Sequence, residues 1–409
     1  MRIGYDVSQT GAAKAGCGFF ADSLIRQIAG LDRENEYILY PTFGDAFADP
    51  DSAVTTITLD LPNFRRGPAQ KSTDAAKQFW GDPPADFEEE LGRPDIVHSN
   101  NFFCPRELEK AKLVYTLYDL AVVDRPDLTT ESNRTHCFGG LFNASLFADL
   151  IIAISSYTRE HFLEVFPYYP AERIVTIYPG TRFGAPEGKQ RPQDLQKLVA
   201  GEFWLSVGTL EPRKNHRRLV EAYAMLKARV GKTFPLALAG AQGWMMEGFE
   251  AYLEELGVAE DVICLGYVDD GSLAWLYRNC FALIYPSLFE GFGLPVLEAM
   301  GLGAPVIASN VSSIPEIVGD AAILVDPTSV QSILDGMLKI AGDAELRERL
   351  KTQVVRRAGQ FTWDAAARAT LECYRRVMAM DKLYRGEHRE LSRQAEELPN
   401  ASPAPVGAH

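Results

Sequence analysis

Short apolar runs alternate with helical segments through most of the chain, and this alternation constrains the fold more than any other feature. RIGYDV (Arg2–Val7), EYILYP, IVHSN, LVYTLYD and LIIAISS read as strands. FFADSLIRQIAG places Phe20, Leu24, Ile25 and Ile28 on one helical face, and TREHFLEVF is a second helix. Strands that are apolar on both faces, spaced by helices, predict a parallel sheet covered on both sides. The stretch FGAPEGKQRPQDLQKLVAG, around residues 183–200, is polar and rich in Pro and Gly, as linkers are. The alternation then restarts with EFWLSVG, PLALAG, DVICLGYV, ALIYPS, APVIASN and AAILVD. At 409 residues a single core is not expected. The reading is therefore α/β, with two Rossmann-like doubly wound parallel-sheet domains at residues 1–185 and 196–365. A helix over 366–392 and a disordered tail at 393–409 complete it. Residues 60–90 break the rhythm and read as a mobile loop with room for one helix.

The formal net charge of −14 argues against nucleic acid as a partner, because phosphate contact needs a basic surface. It leaves room for a local basic patch. Arg65, Arg66 and Lys71 are candidates to meet an anionic inner-membrane surface, against the simpler reading of a solvated loop. No run of eighteen apolar residues occurs. The segment MRIGYDVSQT enters a strand without a basic, apolar, then small pattern, so a cytoplasmic chain is expected, peripheral on the membrane at most. The six cysteines form no CxxC and no metal-type spacing, and reduced thiols are expected.

Two segments carry chemistry. In Ser287-Leu-Phe-Glu290-Gly-Phe-Gly-Leu-Pro295-Val-Leu-Glu298, a buried strand runs into a helix with Pro295 in its first turn. Glu290 falls on the strand-to-helix loop and Glu298 early in the helix, at the carboxyl edge of the sheet where ligands of open α/β sheets bind. Free N–H groups around Gly293 and Leu294 suit a phosphate, and Gly291 and Gly293 permit close backbone approach. Two carboxylates beside a phosphate site make chemical sense if they accept hydrogen bonds from sugar hydroxyls. The alternative is acidic residues that merely complement a helix dipole. The second segment, Gly208-Thr-Leu-Glu211-Pro-Arg213-Lys214-Asn215, also follows a strand and opens a helix. Arg213 offers phosphate a planar fork and Lys214 a point charge.

These residues carry a resemblance to a known family. SVGTLEPRKN, SLFEGFGLPVLEAMGLGAPVIAS and SSIPEIVGDAAILVDP resemble the retaining GT-B glycosyltransferases of family 4, whose Glu–seven residues–Glu motif Glu290 and Glu298 fit without a gap. The resemblance extends to Gly16-Cys-Gly18, DIVHSNNFF, TLYDL and ADLIIAISSYT in the first half. It implies a GT-B fold, two Rossmann-like domains facing across a cleft, with the final helix returning to the first domain. It implies that Glu290 contacts the donor hexose and Glu298 the ribose, and that Arg213 and Lys214 neutralise the diphosphate. Gly293, Leu294, Phe292 and Gly208 would bind the donor, with Gly16 or Gly18 closing on the phosphate from the first domain. Tyr118 and Asp119 would stand near the reacting sugar, and His98 and Asn100 on the acceptor side. One departure is Tyr118, which occupies a position where the family commonly has His; a phenol donates a hydrogen bond but carries no proton charge at neutral pH.

The implied partners are a nucleotide-sugar donor and a glycan or lipid-linked acceptor, with no cofactor beyond that co-substrate. No metal site is expected, since Asp49-Pro-Asp51 lies in a loop rather than on a strand edge. The overall flavour resembles bacterial mannosyltransferases of surface polysaccharide synthesis, which favours GDP-mannose and keeps a UDP-hexose as the alternative. An NAD-dependent oxidoreductase is the rival class, because Gly16-Cys-Gly18-Phe-Phe-Ala21 matches G-x-G-x-x-A. The loop from Val7 to Gly16 is too long for that tight turn, and no acidic residue ends the second strand at Tyr40.

Overall fold

The computed structural model describes residues 1–11, 14, 16–44, 46–47, 61–106, 108–183 and 195–383. The first sheet is built from β1 (Arg2–Asp6), β2 (Glu36–Tyr40), β3 (Phe64–Arg66), β4 (Ile96–Ser99), β5 (Lys112–Leu117), β6 (Leu150–Ala153) and β7 (Ile174–Thr176). Its spatial order is β3-β2-β1-β4-β5-β6-β7, all parallel. The second sheet holds β8 (Trp204–Val207), β9 (Leu236–Ala239), β10 (Val262–Gly266), β11 (Ala282–Tyr285), β12 (Val306–Ser309) and β13 (Ile323–Val325). Its order is β10-β9-β8-β11-β12-β13, again parallel. Central strands such as Leu-Ile-Ile-Ala of β6 and Ala-Leu-Ile-Tyr of β11 are buried at every residue, which is why their runs are unbroken rather than alternating.

In each sheet the strand order reverses once, between β1 and β4 in the first and between β8 and β11 in the second. At such a point the connections leave in opposite directions and open a crevice at the carboxyl ends of the strands. The segment Gly208–Asn215 leaves β8, and Ser287–Gly293 leaves β11, so both chemical segments meet at one switch point.

The domains touch in a closed arrangement. A Cβ on Gly291 of the second domain would overlap the carbonyl oxygen of Tyr118 in the first. Thr158 Oγ1 donates to the Gly291 carbonyl at 3.2 Å. Glu316 accepts from the N–H groups of Ser156 and Tyr157, at 3.2 Å each, and so caps a first-domain helix from the second domain. Trp244 Nε1 donates across the boundary to the Leu128 carbonyl at 3.2 Å. One apolar cluster runs through the junction and includes Tyr118, Ile154 and Ile177 on one side and Phe292, Ile314 and Phe361 on the other.

Two expectations need correction. Residues 61–90 hold an edge strand, β3, and two helices, Thr73–Gly81 and Phe87–Glu90. A three-residue strand with two arginines and only Phe64 buried leaves no apolar run to recognise. The final helix spans Trp363–Met378 rather than 366–392. It packs on the helix Gly16–Leu31 of the first domain, burying Ala367, Leu371, Tyr374 and Val377. Beyond it the chain is tied back to the first sheet: Lys112 Nζ donates to the Met380 carbonyl at 2.6 Å and Leu383 N to Asp149 at 2.7 Å. Residues 384–392, the tail, the linker residues 184–194 and Asp49 and Asp51 lie outside the described residues.

Candidate active site

The site is assembled from loop geometry first. Gly208 leaves β8 at φ +146°, and the Lys214 side chain packs along its bare face, 3.2 Å from where a Cβ would sit. A single 3-10 turn, Pro212–Lys214, ends at Asn215 in the left-handed region, and the helix His216–Val230 begins there. Asn215 Nδ2 donates to the carbonyls of Pro286 and Pro327, at 2.9 and 2.7 Å, and pins this turn to the neighbouring loop. That loop is Ser287–Gly293, with Gly293 at φ +98° capping the helix Leu294–Gly301. Pro295 has no N–H, and those of Val296 and Leu297 bond the Gly293 carbonyl at 2.9 and 3.2 Å, so the donor that this first turn can offer a ligand is the Leu294 N–H.

Glu290 is the centre of the resulting network. Its Oε1 accepts from Lys214 Nζ at 2.6 Å, Ser287 Oγ at 2.6 Å and Tyr285 Oη at 2.9 Å. Its Oε2 accepts from Arg213 Nη1 at 2.9 Å. Arg213 also donates to Glu211 Oε1 at 2.6 Å and to the Phe289 carbonyl at 3.1 Å. Burial alone would raise the Glu290 carboxyl, but Arg213 and Lys214 outweigh it and hold the group at about 2. Lys214 is pushed below the ordinary lysine value by burial and by Arg213, with Glu290 opposing. Two cations and the carboxylates of Glu211 and Glu290 thus balance. Lys214 has three N–H donors, of which Tyr285 and Glu290 take two.

Glu298 stands eight residues on, 3% exposed, in a different environment. Arg182 Nε and Nη2 donate to its two oxygens at 2.6 and 3.3 Å, and Tyr277 Oη donates at 3.1 Å. Burial raises the Glu298 carboxyl, and Arg182 and Tyr277 offset this only in part.

The remaining predicted residues divide. Asp119 is half-buried beside Gly291, its Oδ1 capping the Ala121 N–H at 2.9 Å. Gly16 is exposed at a helix start with open space around it. Gly18 is buried, and a Cβ there would overlap the Gln9 carbonyl, so it packs a loop rather than facing a ligand. Phe292 is a core residue, between Tyr178 and Phe361 at 6.3 and 5.9 Å. Tyr118 is buried, its ring 5.6 Å from Phe20 and its hydroxyl donating to the Asn100 carbonyl at 2.9 Å. His98 and Asn100 are not acceptor-facing. His98 is fully buried, with Nδ1 2.7 Å from Tyr374 Oη and Nε2 2.9 Å from Thr116 Oγ1, and burial lowers its ring to about 3. Asn100 is consumed by Asp6 and Thr116. Sequence reasoning gave no role to Arg182, Glu211, Tyr277, Tyr285 or Ser287. Ser287, three residues before Glu290, and Glu211, two before Arg213, had a signal in lying inside the two chemical segments.

Two parallel-sheet domains in contact, with buried ion pairs and a helix start at a switch point, are an arrangement in which open α/β sheets bind ligands. Comparison with known proteins makes this specific. Residues 190–357 match the glycosyl transferases group 1 model and residues 21–182 the Glycosyltransferase Family 4 model. The chain is 36% identical over 289 residues to O-antigen chain mannosyltransferase B of Escherichia coli, covering 68% of this chain and 74% of that protein. It is 32% identical over 303 residues to the serotype-specific mannosyltransferase WbdA of Escherichia coli, of whose length the match spans 37%. The chain belongs to this glycosyltransferase family. Solved structures show the GT-B fold: HepE of Anabaena with UDP and glucose aligns at a TM-score of 0.70 and 19% identity, over 92% of this chain and 99% of that one. WaaG, a glycosyltransferase involved in lipopolysaccharide biosynthesis, aligns at 0.65 and 18%, over 91% and 99%.

Proposed function

We propose that this glycosyltransferase moves a mannosyl group from GDP-mannose to a glycan or lipid-linked acceptor in surface polysaccharide synthesis, with retention at the anomeric carbon. The observation that carries the reading is the convergence of Lys214, Arg213 and Glu290 from two neighbouring strands at one switch point. The names of the Escherichia coli relatives support the mannosyl assignment. The solved relative holding UDP and glucose supports the second reading, a UDP-hexose donor.

In the proposed reaction the bond from the sugar anomeric carbon to the diphosphate oxygen breaks, and its electron pair stays on that oxygen. The acceptor oxygen bonds to the anomeric carbon from the same face, and its proton passes to the departing phosphate oxygen. Charge grows on the diphosphate, beside the unused donors of Lys214 and Arg213 and the start of the helix Leu294–Gly301; such preorganised charge is the usual large term in catalysis. Glu290, whose positions are taken by Lys214, Arg213, Ser287 and Tyr285, accepts from hexose hydroxyls as Lys214 and Arg213 turn to the diphosphate, and Glu298 accepts from ribose hydroxyls. Closure of Gly291 against Tyr118 excludes water and limits hydrolysis. No metal is assigned a role, the two cations serving in its place. Among the described residues no helix is long and apolar enough to cross a membrane. Contact with an anionic membrane face is part of the proposal, with Lys71 exposed and Arg65 engaged by Glu36 at 2.7 Å.

The test is transfer from GDP-mannose, UDP-glucose and UDP-galactose to a lipid-linked acceptor, with the anomeric configuration of the product read by NMR. Transfer of mannose with retention is expected. Inversion, or no turnover with any sugar nucleotide, defeats the reading. Lys214→Ala is expected to lower kcat by about 10²–10³, as loss of one preorganised donor does.

A further inference from the structure

Arg182 stands where the chain leaves the first domain, and its guanidinium fills the place beside Glu298. It takes both carboxylate oxygens of Glu298, at 2.6 and 3.3 Å. Nη1 reaches Asp270 Oδ1 at 2.9 Å, and the guanidinium carbon lies 3.8 Å from the centroid of the Phe19 ring on the first-domain helix. A carboxylate offers about four lone-pair positions. Arg182 occupies one on Oε1, and Arg182 and Tyr277 occupy both on Oε2. A single position is left, whereas the vicinal hydroxyls of a ribose need two.

We propose that Arg182 is a placeholder for the donor's ribose, holding Glu298 while the site is empty and yielding to the 2′,3′-hydroxyl pair; this rests on the reading of Glu298 as the ribose ligand. The geometry permits the exchange at low cost. Asp270 is 62% exposed at its side chain, so the guanidinium can turn from Glu298 towards it and keep one partner while it gives up the Phe19 face. Because Phe19 belongs to the first domain and Glu298 to the second, the same exchange ties nucleotide arrival to the domain boundary. A fixed positioning role for Arg182, aiming Glu298 at the ribose, predicts the opposite sign when the side chain is removed.

Calorimetric titration at pH 8 distinguishes the two. GDP, UDP and their 2′,3′-dideoxy forms are titrated into the full chain and into Arg182→Ala. The preferred ribonucleotide is expected to bind the variant about tenfold tighter, the scale of one charge-assisted contact removed from competition. Its dideoxy form is expected to bind both proteins alike. Unchanged or weaker ribonucleotide binding to the variant overturns the placeholder, and so does equal tightening of both forms. A wild-type chain that binds neither GDP nor UDP overturns the donor reading itself and this inference with it. Should Arg182→Ala fail to fold, Phe19→Leu removes the aromatic face and keeps the arginine. About two- to fivefold tightening is then expected, again absent with the dideoxy nucleotide, and no tightening overturns the proposal.

Discussion

Glu290 and Glu298 lie eight residues apart on one loop and helix, yet their surroundings are opposites. Every partner of the Glu290 carboxylate belongs to the second domain: Lys214, Arg213, Ser287 and Tyr285. Its charge is locked in, and its carboxyl sits at about 2. Glu298 depends on Arg182, a residue outside its own sheet, and its carboxyl is raised. The difference teaches that two glutamates buried alike are driven in opposite directions by their neighbours. Burial acts on both, and the number of cations within hydrogen-bond reach decides the sign.

The largest expected effect breaks this comparison on the Glu290 side. Glu290→Ala leaves Arg213 and Lys214 buried without their shared counter-charge and is expected to cost about 3–5 kcal/mol in urea denaturation. Glu298→Gln leaves Arg182 its bond to Asp270 and is expected to cost about 1 kcal/mol or less. Equal losses would erase the distinction. Next in size, Gly291→Ala places a methyl on the Tyr118 carbonyl across the domain boundary. The clash is relieved by opening, so kcat/KM is expected to fall by about tenfold through lost near-attack geometry with circular dichroism unchanged. A variant that unfolds, or one with full activity, contradicts the closed contact.

The smallest effect is in pH dependence, where the signs differ. An ordinary glutamate titrates near 4.5, so a carboxyl held at about 2 contributes stability that is complete above 4.5 and is lost as pH falls towards 2. Glu298 runs the other way: its raised carboxyl withdraws stability as pH rises from 4.5 through its higher value. Glu290→Gln is therefore expected to flatten the acid limb of stability against pH. The stability of Glu298→Gln relative to wild type is expected to grow from pH 4 to pH 8.

Most of the fold was legible because it rests on wholly apolar strands, such as those of β6 and β11, which no solvated segment imitates. β3 was missed because Phe-Arg-Arg carries one buried residue. The Glu290 network was legible because each segment follows a strand, and ligands gather where strands end at a switch point. The same rule misplaced His98 and Asn100. They also end a strand, but Tyr374 arrives from 276 residues away to satisfy His98, a contact no local pattern announces. Arg182 escaped for a similar reason: its partner Glu298 is 116 residues distant, and the linker that carries it has no periodicity.

The central claim is that the two glutamates divide the donor, one taking the hexose and the other the ribose. Calorimetric titration of GDP and GDP-mannose into Glu290→Gln and Glu298→Gln tests it most directly. The account predicts that Glu298→Gln weakens both ligands alike, while Glu290→Gln leaves GDP binding intact and removes the added affinity of the mannose. Glu290→Gln weakening GDP as much as GDP-mannose, or Glu298→Gln sparing GDP, would contradict it.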